Sequence, residues 1–341
     1  MTLPVTRVAA CHFAPVMMNK EATMEKVFNG VSEAASKGAN LIVFPETYVS
    51  AFPLWGACKA PIDNHHLFKQ LVESSIYIDG PEISSLQSLC KELSVVVLLG
   101  FNERSRVSVG CLWNSYVLID ENGTIGAHHR KLVPTFFEKL SWANGDGSGL
   151  NVIDSKYGKI GCLICGENTN SLARFTLLSQ GEQIHISIWP PAADMHRPSE
   201  ETKSFDNITA NKIRCGAQCI EGKCFGVLSS SFVDQAMLDF LIKDDPSNAS
   251  FYNNMSQGIT CFLSPSGNEI GDSLRFEEGI AYADFDLNTT IEPKQFHDLV
   301  GGYNRFDVFK LHVNRSRNIP IYFDEETSES REGINNSPLS Q

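Results

Sequence analysis

The sequence predicts an α/β fold. Short apolar runs recur along the chain, and helical patterns separate several of them, the alternation that marks a largely parallel sheet. Many of the runs are apolar at consecutive positions, as strands covered on both faces require. In chain order, RVAACHFA reads as a first strand and Asn19 to Lys37 as a helix. NLIVFPE is a second strand. Pro81 opens a helix to Leu93, where the missing N–H and fixed φ of proline suit the first turn. SVVVLLGFN follows as a strand, and YVLIDENGTIGAHHRK as a hairpin turning at Asn122-Gly123. KIGCLIC, a helix over Ser171 to Gln180, QIHISIWP and a helix over Ser199 to Glu221 continue the alternation. CFGVLSSS is the next strand, and ITCFLSPSGNEIGDSL a second hairpin turning at Ser266-Gly267. GIAYADFDL closes the series. Both hairpins carry Ile-Gly after the turn, a match too short to establish an internal repeat.

No Pro-, Gly- or Ser-rich linker divides the chain. We read a single domain over 1–323, including a C-terminal extension at about 291–323, and a disordered acidic tail over 324–341, where DEETSESREGINNSPLSQ has almost no apolar content. The extension contains KQFHDLVGGYNRFDVFKLHVNR, whose Phe296, Leu299, Val300, Tyr303, Phe306, Val308, Phe309 and Leu311 are too many apolar groups to leave in water. It is expected to pack on its own domain or across a subunit boundary, close to the site.

Composition excludes several function classes. A net charge of −12 argues against nucleic acid, whose phosphates need a Lys/Arg excess. No stretch approaches the apolar length of a membrane span, and MTLPVTRVAACHFAP lacks the regions of a signal peptide. Ten irregularly spaced cysteines then read as reduced thiols in a cytoplasmic protein. Cys215, Cys219 and Cys224 resemble metal spacing, but the first two are i,i+4 neighbours on a helical core stripe, and no second ligand pair accompanies them. Charged residues make up 20% of the chain, below the usual ~25%, which is compatible with surface covered by other subunits.

The chemistry centres on GKIGCLICGENTNSLARF. Cys162 and Cys165 have C-x-x-C spacing, yet residues three apart on a strand face opposite ways, so the pair could neither bridge nor share a metal. Cys165 falls at the carboxyl end of its strand, the edge where α/β sheets bind ligands, whereas Cys162 reads as packing. A nucleophilic thiol needs a base and a group that stabilises developing charge. LIVFPETYVSAFP supplies Glu46 at the end of an apolar strand, and HHRKLVPTFFEKLSW supplies Lys131 and Glu138. Taken singly, such residues at strand ends are ordinary solvated surface; the combination is what points to a site.

GANLIVFPETYVSAFP, HRKLVPTFFEKLSWANGDG and GKIGCLICGENTNSLAR together resemble, in order and spacing, the three signature blocks of the nitrilase branch of the carbon–nitrogen hydrolase superfamily. The C-terminal KQFHDLVGGYNRFDVFKLHVNR is similar to the end of fungal and bacterial arylacetonitrilase-type nitrilases. The resemblance implies a four-layer αββα sandwich. It implies Glu46 as general base, Lys131 as cationic stabiliser, Cys165 as nucleophile and Glu138 as the second, orienting glutamate. It also implies subunits paired as dimers and extended into helical oligomers. Two departures bear on substrate choice: Ala51-Phe52-Pro53 replaces the frequent Gly-Tyr-Pro, and Gly166 replaces the usual Trp or Ala after the cysteine. Glu167 fits the nitrilase branch.

The implied reaction is hydrolysis of an organic nitrile, arylacetonitrile-like, to a carboxylic acid and ammonia through a thioimidate and a thioester, with some amide and with neither metal nor cofactor. One lysine ~4 Å away at an effective dielectric of ~20 favours a thiolate by roughly 4 kcal/mol, against which two carboxylates act. A proton shared among Cys165, Glu46 and Lys131 is the expected compromise. An amidase, a nitrile or cyanide hydratase and a catalytically silent assembly protein are the competing readings. Trp189, Phe52, Trp55, Phe136, Tyr48 and His196 are the candidate substrate contacts, giving an aromatic pocket. Of His128 and His129, strand alternation lets at most one approach the site.

Overall fold

A computed structural model describes residues 2–194 and 205–321. The strands are β1 (Val5–His12), β2 (Leu41–Val43), β3 (Val96–Arg104), β4 (Leu112–Ile119), β5 (Ile125–Arg130), β6 (Ile153–Ser155), β7 (Gly158–Ile164), β8 (Ile184–Trp189), β9 (Ala192–Asp194), β10 (Phe225–Ser230), β11 (Ser256–Gln257), β12 (Thr260–Leu263), β13 (Glu269–Leu274) and β14 (Gly279–Asp286). The helices used below are α1 (Lys20–Ser36), α2 (His65–Ser74), α3 (Pro81–Leu93), α4 (Ser171–Leu178) and α5 (Asn207–Gly222).

Two six-stranded sheets form, in the orders β14-β1-β2-β3-β4-β5 and β13-β12-β10-β8-β7-β6. In each, three parallel strands occupy the middle and antiparallel strands flank them. The two hairpins noted in the sequence, β4–β5 and β12–β13, sit at equivalent edges of the two sheets, so the sheets repeat one plan.

The strand pattern explains the layering. Val8, Ala10, Leu41, Val43, Val96 and Leu98 project from the first sheet into one core with Ile160, Cys162, Ile164, Ile184, Ile186 and Ile188 of the second. The alternate residues Ala9, Cys11, Ile42, Val97 and Leu99 face outward, onto Met24, Val27 and Val31 of α1 and Ile83 and Leu86 of α3. On the second sheet Leu163 packs against Ala173 and Leu177 of α4. Each central strand is thus covered on both faces, which is why its sequence is apolar throughout. The result is the expected αββα sandwich. All ten cysteines are free, and Cys215 and Cys219 lie in the core as read.

Two expectations need correction. The helix read from Ser199 begins at Asn207: the Asp206 side chain accepts from Thr209 N and caps it, while Phe205 and Asp206 are not helical. Residues 195–204 lie outside the described residues, as does the expected tail over 324–341. The C-terminal segment does not bury its apolar groups on its own domain. Phe296 is 87% exposed and Phe309 70%, and Tyr303, Phe306, Val308 and Leu311 are exposed too. Its polar groups do anchor it: Leu299 N donates to Glu221 O, and Asn318 N to Asp146 Oδ2.

Candidate active site

Three segments at the carboxyl ends of β2, β5 and β7 bring the expected residues together. Beyond β2 the chain turns at Pro45 and places Glu46 under a loop tied to β3. Gly100 permits that approach, since a Cβ there would lie 2.1 Å from Pro45 O. Asn102 holds the same loop, donating through Nδ2 to Val49 O and Ala51 O, and its Oδ1 accepts from Trp142 Nε1. Lys131 follows β5, and its backbone N–H still donates to Asn114 O of β4. Glu138 lies in a short 3₁₀ turn, where its carboxylate accepts from Thr135 N at 2.8 Å. Cys165 leaves β7 with φ at +50°. Thr47, Ser50, Ala51 and Phe136, in the same three segments, also have positive φ. Such conformations cost about 1–3 kcal/mol each for non-glycine residues and persist where surrounding contacts over-determine them.

Lys131 Nζ donates to Glu46 Oε1 at 2.9 Å and to Glu138 Oε2 at 2.6 Å. One carboxylate oxygen of Glu46, one of Glu138 and the Cys165 sulfur lie within 4.8 Å of one another. All four residues are buried, Cys165 being the most exposed at 9%. By distance alone the three could ligate a cation, but the Lys131 ammonium is already bonded to both carboxylates. Glu46 Oε1 also accepts from Asn114 Nδ2 at 2.6 Å, while its Oε2 is buried with no hydrogen-bond partner.

Burial pushes the Glu46 carboxyl up to about 7; Lys131 opposes the rise and Glu138 adds to it. Burial and the Glu46 charge hold the Cys165 thiol well above its usual range, despite the opposing pull of Lys131. Burial disfavours the Lys131 ammonium, yet the charges of Cys165, Glu46 and Glu138 outweigh it and raise its pKa well above normal. Near neutrality the group therefore holds a protonated thiol, a cationic lysine and a carboxyl poised to gain or lose a proton. A thiol proton can pass to the vacant Glu46 Oε2 as sulfur attacks, with the ammonium beside the charge that develops.

Cys162 and Cys165 do not face opposite ways as expected: Cys165 does not continue the strand, because β7 ends at Ile164 and the left-handed turn returns Cys165 to the core that also holds Cys162. Cys162 is fully buried, and its carbonyl accepts from Tyr116 OH.

Of the other candidates, Trp189 shares the Cys165 cluster and donates from Nε1 to Ser187 Oγ at 2.7 Å. Phe52 and Trp55 lie in a separate aromatic cluster with Trp142, the Phe52 and Trp142 ring centroids being 5.3 Å apart. Tyr48 is misread as a pocket residue: it packs on Phe44 in the helix-facing cluster, on the far side of the first sheet. Phe136 is 82% exposed, yet it lines an open hollow of about 310 Å³ together with Thr135, Gly166 and Glu167. His196 lies outside the described residues. Gly166 leaves room for Thr135, whose Oγ1 would be 3.0 Å from a Cβ there.

Sequence reasoning allowed one of His128 and His129 to approach the site, which His129 does, but it missed Asn114, Asn168, Glu182 and His185 among the residues that hold these groups. His129 Nε2 lies 2.9 and 3.0 Å from the two Glu167 oxygens, and Glu167 also accepts from Leu132 N and Ile164 N. It thereby ties the Lys131 segment to the strand before Cys165. Burial opposes ionisation of Glu167, but His129 and the two backbone donors hold its pKa below the usual value. His128 faces away, to Glu103. A second chain runs from Glu182 through His185 to Asn168, whose Nδ2 donates to Cys165 O at 3.0 Å. The available signal was a polar residue inside an apolar strand, as with Asn114 in LWNSYVLI and His185 in IHISIW.

Comparisons with known proteins show the family and the fold. The sequence profile of the family described as carbon-nitrogen hydrolase matches residues 7–295. A nitrilase from Penicillium rubens is 31% identical over 334 residues, covering 96% of this chain and 99% of its own length. An arylacetonitrilase from Macrophomina phaseolina is 31% identical, with 96% of each chain covered. A solved carbon–nitrogen hydrolase from Helicobacter pylori matches with a TM-score of 0.69 at 20% identity, covering 89% of this chain and 97% of that one.

Proposed function

This chain belongs to the carbon–nitrogen hydrolase family, and from that premise we propose that it is a nitrilase converting an organic nitrile to its carboxylic acid and ammonia. The observation that carries the chemistry is the buried cluster of Cys165, Lys131, Glu46 and Glu138. The nitrile preference rests on relatives of that name matched over almost their whole length.

Glu46 takes the Cys165 proton on Oε2 as sulfur bonds to the nitrile carbon. The developing charge lies beside Lys131, which Glu138 and Glu46 hold in place. Returning the proton to nitrogen gives a neutral thioimidate. Water then adds with Glu46 as base, and the tetrahedral carbon expels ammonia to leave a thioester. A second water displaces the thiol and releases the acid. Expulsion of the thiol before ammonia gives the amide instead, so the acid-to-amide ratio reports which leaving group departs first.

An arylacetonitrile fits the reading best, because Phe52, Trp55 and Trp189 are apolar rings near the segments that carry the site. A panel of phenylacetonitrile, benzonitrile and cyanide, with ammonia, acid and amide all quantified, tests it. Phenylacetonitrile is expected to be fastest with acid as the main product; cyanide as the best substrate, giving formamide, would replace this reading by a hydratase.

The protein is also read as self-associating through the extension at about 291–323 of a single domain over 1–323. In support, α5 exposes Ile213 and Ile220, α4 exposes Leu172, and the C-terminal segment, which is bonded to the end of α5 through Leu299 N and Glu221 O, exposes rings of its own. A second copy would cover this apolar surface. No described helix is long and apolar enough to cross a membrane.

A further inference from the structure

We propose that a cleft on the outer face of the first sheet binds a small carboxylate with an aromatic or apolar body, and that its occupancy is felt at the catalytic centre. The cleft has a volume of about 660 Å³, and the C-terminal strap at Arg317–Pro320 forms one wall. That size suits a small organic ligand.

Its charges are unbalanced. Four arginines line it, Arg104, Arg106, Arg130 and Arg317, against two acids, Asp79 and Glu103. Asp79 is matched to Arg106 at 2.7 Å and Glu103 to Arg130 at 2.5 Å. Among the described residues, Arg104 has no carboxylate within hydrogen-bonding distance. Arg317 is only loosely paired, its Nη1 lying 3.9 Å from Asp146 and buried with no hydrogen-bond partner, while its Nη2 is 3.3 Å from His128 Nδ1. A surplus of guanidinium in a protein of net charge −12 calls for an anion, and a carboxylate fits the guanidinium fork in a bidentate manner. The body of the ligand has apolar neighbours in Trp113, Tyr77 and Ile319. Arg130 stacks on Trp113 at 3.6 Å and Arg106 on Tyr77 at 3.7 Å, so both rings are held in place.

The cleft and the catalytic cluster stand back to back across β4 and β5. Trp113, His128 and Arg130 line the cleft. Their immediate neighbours Asn114, His129 and Lys131 hold Glu46, Glu167 and both site glutamates respectively. Alternation along a strand puts such neighbours on opposite faces, so any backbone shift of β4 or β5 on binding reaches both. The product of the proposed reaction belongs to the ligand class, but binding needs no turnover and is tested apart from it.

The test is calorimetric titration of the full chain with phenylacetate, with phenylacetamide as the neutral control, alongside ammonia release with and without added phenylacetate. The expected result is saturable phenylacetate binding, little binding of the amide, and a change in rate that excess nitrile does not reverse. Arg104→Gln with Arg317→Gln should weaken phenylacetate binding about tenfold or more, as loss of charge-assisted bonds implies, and leave ammonia release without phenylacetate unchanged. Val107→Trp, at the exposed rim, should block the cleft without touching either arginine. Purely competitive inhibition by phenylacetate, with an affinity that none of these variants alters, would overturn the proposal. So would a chain ended after Ile321 that binds phenylacetate more than tenfold tighter, since the occupant would then be residues 322–341.

Discussion

Replacing Asn114 by leucine removes the amide that donates to Glu46 Oε1 at 2.6 Å and leaves Lys131 as that oxygen's remaining donor. The change is close to isosteric, and Asn114 Oδ1 has no partner to lose. A hydrogen bond to a charged group contributes about 1.5–3 kcal/mol, and at about 1.4 kcal/mol per pKa unit its loss raises the Glu46 pKa by about 1–2. From about 7 the acid limb of the pH–rate profile should therefore move to about 8–9. The sign follows from the role: Glu46 acts as base only when ionised, and losing a donor to the carboxylate disfavours ionisation. At pH 7 the ionised fraction falls from about one half to between about one tenth and one hundredth, so kcat/KM should drop about 5- to 50-fold and recover as pH rises. The assay is ammonia release from phenylacetonitrile between pH 5.5 and 10 for wild type and variant. A uniform loss of rate at every pH, with the acid limb unmoved, would refute the assignment of that limb to Glu46.

Three further outcomes follow from the same structure. Cys162→Ala should retain nitrile hydrolysis and lose about 1 kcal/mol of stability from a small cavity, whereas Cys165→Ala should be inactive but folded; activity and urea denaturation of both variants check this. Glu103 is pulled to about 2, where His128 and Arg130 overcome the burial penalty. Its depressed pKa contributes about 3 kcal/mol that is complete above about pH 4.3 and fades as pH falls toward 2, so Glu103→Gln should destabilise strongly at pH 7 and much less at pH 3 in denaturant titrations. Ending the chain after Asn318 should leave particle size and activity nearly unchanged, whereas ending it before Lys294 should dissociate or inactivate the protein, as read by light scattering coupled to size exclusion.

The fold was legible because every central strand is covered twice and so carries an unbroken apolar run, and because glycine marks both hairpin turns, although only Gly123 and Gly267, each at φ of +78°, are left-handed there and neither turn is the two-residue I′ type. Glu46, Lys131, Glu138 and Cys165 could be named from three blocks of sequence. What failed was inference by proximity along the chain. Tyr48 lies two residues from Glu46, but Thr47 takes φ of +43° between them, and Tyr48 ends among the helix-facing residues. Phe136, two residues from Glu138 with φ of +48°, is largely exposed, although it still lines an open hollow with Gly166 and Glu167. Period-two reasoning cannot see such left-handed positions, and the same blindness put Cys165 on the wrong face. Asn114 was invisible for another reason. It meets Glu46 across 68 residues of sequence, through a sheet register that the pattern of either strand does not fix alone.

The central claim is that the Cys165 sulfur bonds to the substrate carbon, and acid quenching tests it most directly. Enzyme mixed with phenylacetonitrile is stopped in acid during steady turnover, digested, and its ten cysteines are surveyed by peptide mass. The account predicts a phenylacetyl thioester, or its thioimidate precursor, on the peptide carrying Cys165, enriched in Glu46→Gln if that variant slows breakdown more than formation. An adduct confined to another cysteine, or ammonia and acid formed while Cys165→Ala stays as active as wild type, would contradict it.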